Sequence, residues 1–89
     1  MDQHRNQLSI TYPLGIEDGM VKRFMRCLTE VMSNGFAHYY LIESIHFKTN
    51  AMYIVTVDDI KEYVFCNNKF DYVMSHSKGS FKQNFLHDA

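Results

Sequence analysis

The chain has 89 residues, 46% of them apolar, with six tyrosines, seven phenylalanines and a single proline, Pro13. That length fits one domain, and the apolar content excludes the disordered class. Nine basic residues against ten acidic ones give a net charge of −1. The overall basic excess of a nonspecific nucleic-acid binder is therefore missing, and little repulsion keeps copies apart.

Residues 1–89 read as one domain, with 1–6 and 87–89 frayed and 76–89 a C-terminal segment. From Gln7 to Tyr12, Leu8, Ile10 and Tyr12 alternate with Gln7, Ser9 and Thr11, the period of a strand with one wet face. Pro13 and Gly15 end it. Ile16, Met20, Phe24, Cys27, Leu28 and Val31 then recur at helical spacing, widened by Val21 and Met32, and predict an amphipathic helix from Ile16 to Ser33. Glu17 and Asp18 suit its positive end, and Asn34-Gly35 supplies a left-handed stop. Gly19 is its one weak point. An isolated helix of this length is marginal, so it needs a sheet to lie on.

Residues 38–75 read as a meander. His38 to Phe47 is rich in aromatic and β-branched residues, Lys48-Thr49-Asn50 breaks it, and Ala51 to Val57 is a strong strand sequence. Asp58-Asp59 is a turn, Ile60 to Cys66 a further strand, and Asn67-Asn68 a hairpin turn, since Asn tolerates positive φ. Lys69 to Ser75 completes the set. Ser80 caps a short terminal helix carrying Phe81, Phe85 and Leu86. The expected fold is α+β: one helix on a four- to five-stranded antiparallel sheet in β-α-β-β-β-β order. In pattern this resembles cystatin-like and monellin-like folds, a likeness that implies no function. The rival reading makes residues 58–66 a helix capped by Asp58, giving a ferredoxin-like βαββαβ order.

The strands are apolar on both faces. Tyr53, Val55 and Val57 alternate with Met52, Ile54 and Thr56; Tyr39, Leu41, Ile45 and Phe47 alternate with Tyr40, Ile42, Ser44 and His46. One helix covers one face, so a second cover is expected: the C-terminal segment, a second copy, or a foreign protein. Tyr40, Ile42, His46, Met52, Ile54, Tyr63 and Phe65 are the expected partner-contact residues.

Candidate chemistry is sparse. His4, His38, His46, His76 and His87 show no metal-ligand spacing; His38 and His46 would stand about 26 Å apart on one strand. Cys27 and Cys66 are too few for a disulfide framework and read as buried thiols in a reducing compartment. Asp58, Asp59 and Glu62 do not converge as acid–base groups. The run from Ser75 to Ser80 has the composition of a phosphate loop without its spacing and reads as a polar connector. Lys22, Arg23 and Arg26 make a basic spot on the outer helix face. The polar start predicts no signal peptide, and no apolar run reaches membrane-spanning length, so a soluble cytoplasmic protein is expected. The leading expectation is a non-catalytic interaction protein, a regulator or inhibitor of a macromolecular partner and a candidate homodimer, of the kind that viruses and mobile elements encode. It needs no cofactor and no metal. The alternative is a nucleic-acid-binding domain using the sheet face and the basic patch.

Overall fold

The computed structural model describes residues 8–36 and 41–79. The order is β1 (Ser9–Thr11), α1 (Asp18–Ser33), β2 (Ile42–Phe47), β3 (Ala51–Thr56), β4 (Ile60–Cys66) and β5 (Lys69–His76). The expected α+β fold, one helix against one sheet, is present. Residues 60–66 are a strand, so the βαββαβ alternative falls. The turn tendencies of Asp58-Asp59 and Asn67-Asn68 on either side prevail over the weak helical pattern.

The five strands stand in sequence order, with every neighbouring pair antiparallel except β1 and β2. That first pair departs from the antiparallel expectation because α1 returns the chain between them, so both strands run the same way. Asn67 and Asn68 adopt φ of 54° and 64°, the left-handed conformations a two-residue hairpin requires. Gly35, at φ 103°, ends α1 after Asn34 N–H has bonded the Glu30 carbonyl at 3.0 Å.

The core lies between α1 and one sheet face. Phe24, Cys27 and Leu28 of the helix meet Ile45, Phe47, Met52, Ile54, Tyr63 and Phe70, with Ile10, Tyr12, Ile42 and Phe65 packed around them. Phe24 is its hub: its ring centroid lies 5.0 Å from that of Phe47, 5.4 Å from Phe65 and 5.5 Å from Phe70. Cys27 is buried as expected, its thiol donating to the Asn68 carbonyl at 3.2 Å. Cys66 is exposed instead. It alternates with Phe65, which packs on the core, so it lies on the sheet face turned from the helix.

The β3–β4 turn is built on Thr56. Its hydroxyl accepts the N–H groups of Asp58 and Asp59, both at 3.1 Å, and donates to Asp59 Oδ1 at 2.8 Å. Lys61 Nζ lies 3.1 Å from Asp59 Oδ2. Partial burial pushes the Asp59 carboxyl up, but the Thr56 and Lys61 hydrogen bonds with the Lys61 charge prevail and hold it below its ordinary value. The native pKa is the lower one, so this carboxylate stabilises the fold above about pH 4 and ceases to as pH falls through the native value. Asp59→Asn should therefore lower the urea midpoint at pH 7, and the gap to wild type should narrow as pH falls below about 4, the ordinary carboxylate value. A gap independent of pH would contradict this.

Candidate functional site

The partner contacts expected from sequence do not form one surface. Met52 and Ile54 are completely buried beneath α1, Tyr63 is buried with them, and Ile42 and Phe65 pack against the same core. Only His46 lies on the opposite face; Tyr40 lies outside the described residues. Two bulges explain the mixture. Glu43 is an extra residue between the paired positions Ile42 and Ser44, so Ile42 shares a face with Ile45 and Phe47 instead of with His46. A second bulge inserts Val73 between Tyr72 and Met74.

The face away from the helix is polar across its middle. Thr11, His46, Tyr53, Glu62 and Met74 form one cross-strand row. Thr11 Oγ1 lies 2.8 Å from His46 Nδ1 and Ser44 Oγ 2.9 Å from His46 Nε2. Two hydroxyls, each able to donate or accept, match either tautomer of the ring. His76 Nε2 contacts Glu62 Oε1 at 2.7 Å. Burial, then the Glu62 charge, raises the Tyr53 pKa. Ser44 and His46 have the contact of a nucleophile–base pair, but the third position is held by the Thr11 hydroxyl. Glu62 stands two strands away from His46, about 10 Å at normal strand spacing. Glu62 is thus not a carboxylate that orients this ring.

At one end of that face Val55 and Ile60 are opposite each other and fully buried. Beyond His76 the chain heads back over this end: Lys78 Nζ reaches Glu43 Oε1 of β2 at 2.8 Å, although β3 and β4 separate β2 from β5. The connector read from Ser75 to Ser80 thus holds an ion pair across the sheet, as far as it is described. Phe81, Phe85 and Leu86, the expected cover, lie outside the described residues.

An open apolar surface lies at the β5 edge. Tyr72, Val73 and Met74 are 55%, 47% and 48% exposed, with Val64 of β4 beside them. Phe65 N–H donates to the Asn50 carbonyl at 2.8 Å, so its backbone faces β3. Phe70, opposite it, then turns its own N–H and C=O outward, and Tyr72, two residues on, does the same. Among the described residues no strand pairs with this edge.

Beside the edge lies a cleft of about 530 Å³. One wall is Cys27, Glu30 and Val31 of α1, with Asn34, Gly35 and Phe36 after it; the other is Lys69–Tyr72 of β5, with Tyr63 and Lys61 of β4. Burial, reinforced by Tyr72 and Asp59, raises the Tyr63 phenol to about 12, so it stays a neutral donor at physiological pH. This cleft was not legible in the sequence, because it forms only where α1 ends before the sheet does.

Lys22, Arg23 and Arg26 lie on α1, whose buried side is Phe24, Cys27 and Leu28. All three are exposed, and Arg26 Nη2 also reaches to 3.9 Å from Cys27 Sγ at the margin of the cleft; the row containing His46 and Tyr53 is on the sheet face turned from the helix. Among the described residues no group of three or more metal-ligating side chains converges, and no helix is long and apolar enough to cross a membrane. His4, His38 and His87 lie outside those residues. Comparison with known proteins gives no match to a family model, a curated protein or a solved structure.

Proposed function

We propose that this chain is a non-catalytic interaction module that regulates or inhibits a macromolecular partner, engaging it through the β5 edge. The observation that carries the reading is the exposed Tyr72–Val73–Met74 run on a terminal strand of an open sheet. Natural edges of this kind are normally shortened, charged or covered, because their free backbone groups recruit other strands. β5 is eight residues long, and its charged residues, Lys69 and Asp71, sit at one end. A bulge is its main other defence. The partner is another protein or a second copy of the chain. The exposed thiol of Cys66 suits a reducing compartment, most simply the cytoplasm.

The test is capture from native lysate on immobilised wild-type chain beside a Val73→Lys/Met74→Lys double variant, with sedimentation velocity of both at several concentrations. Both positions are half exposed, so thermal stability should change little. Loss of a specific partner, or of self-association, in a variant that stays folded supports the reading. Unchanged capture and unchanged sedimentation would refute it. Binding of a labelled single-stranded oligonucleotide that weakens steeply with salt would instead favour the nucleic-acid reading.

A further inference from the structure

The partner's contacting segment can be specified further, on the reading of β5 as the contact edge. We infer that it is an extended peptide that adds to β5 as a sixth strand, seats one large apolar side chain in the cleft between β5 and α1, and carries a lysine or arginine beside that anchor.

Three observations converge on this occupant. The first is backbone geometry. Phe70 and Tyr72 present outward N–H and C=O groups, and an extended strand is the shape that bonds to both.

The second is that the same two residues line the cleft with their side chains. Residues whose backbones face outward along the edge thus also wall the pocket. A strand docked on them holds alternate side chains toward α1, at the repeat that places one side chain in a single pocket. Phe70, Tyr63, Tyr72, Val31 and Phe36 supply apolar and aromatic wall, and about 530 Å³ exceeds the bulk of any one side chain. An aromatic or long aliphatic anchor would meet these rings and Val31, beside the polar part of the lining, Asn34, Lys61 and Lys69.

The third is charge. Lys61 is answered by Asp59 at 3.1 Å, and Lys69 is loosely answered by Asp71 at 3.9 Å. Glu30, exposed on the helix wall of the cleft, has no ion pair among the described residues. Arg26, one helical turn before Glu30, has its guanidinium 3.9 Å from Cys27 Sγ and no ion pair with Glu30, so the carboxylate stays open to a cation beside the anchor.

The test pans a display library of random twelve-residue peptides against the full chain, against Glu30→Lys and against Tyr72→Pro. Proline at residue 72 removes an outward N–H without breaking a bond to β4. Wild type should enrich peptides with alternating apolar positions, one large apolar anchor and an adjacent Lys or Arg. Glu30→Lys, a substitution on an exposed helix position, should shift the adjacent position to Asp or Glu. Synthetic wild-type winners should lose affinity by about tenfold or more on Tyr72→Pro, roughly one anchoring contact. Circular dichroism checks that the proline variant is folded; if it is not, Tyr72→Glu, at a half-exposed position, replaces it.

Absence of enrichment over a bare support would overturn the inference. So would winners indifferent to both residue 30 and residue 72. Either result could coexist with loss of a native partner in the Val73/Met74 double variant. In that case the edge would still be the contact surface and only the strand-and-anchor occupant would be wrong.

Discussion

Phe24→Ala is expected to destabilise the chain by about 3–5 kcal/mol. The ring is 1% exposed and touches Phe47 of β2, Phe65 of β4 and Phe70 of β5 at once. Its removal deletes a large transfer free energy and leaves a cavity among side chains held by two layers, which relax only in part. An 89-residue domain has roughly 4–13 kcal/mol of total stability, so the variant loses a large fraction of it. Phe24→Leu keeps the helix periodicity and much of the volume, and should cost clearly less. Chemical denaturation of the three chains measures this. A Phe24→Ala midpoint within experimental error of wild type would mean that α1 does not lie on the sheet through this residue.

Met52→Lys should abolish folding. The side chain is completely buried, opposite Phe47 on one neighbouring strand and Tyr63 on the other. An ammonium there has no carboxylate within the core cluster to pair with, since every member of it is apolar or a tyrosine. Burying such a charge costs several kcal/mol even after relaxation. The result also separates two accounts of residue 52. Were Met52 a partner contact on an open face, the same substitution would leave the monomer folded and impair only binding. Loss of the cooperative unfolding transition is the outcome expected here; a folded monomer with weakened binding would return Met52 to the surface.

Much of the fold was legible because several signals agreed at each place. The Phe24, Cys27, Leu28 spacing, the Gly35 stop and the paired asparagines at 67 and 68 each have one physical meaning, and each took it. Face assignment failed for an equally physical reason. In β3, Met52 and Ile54 are hardly more apolar than Tyr53 and Val55, so alternation held no contrast to say which pair meets the helix. The bulges at Glu43 and Val73 then reversed the alternation within β2 and β5, which no residue type announces. The apparent two-faced grease had a second source. Thr11, Ser44, His46, Glu62 and His76 come from four strands, and only the register brings their two hydrogen-bonded groups, Thr11–His46–Ser44 and Glu62–His76, onto one polar face. These groups reduce the area available for sheet-on-sheet association and move the argument for a partner to the β5 edge. Tyrosine and methionine exposure was anticipated in kind, but not at Tyr72 and Met74.

An interaction through β5 requires that its outer backbone be open to solvent when the chain is alone. Amide-resolved hydrogen exchange on the dilute, monomeric chain reads this directly. Phe70 and Tyr72 amides should exchange at rates close to those of an unstructured chain, while the Ile54 amide, in the central strand, exchanges only through larger openings. Protection of Phe70 and Tyr72 comparable to that of Ile54 in the same sample would contradict the account, because the edge would already be covered by the chain itself.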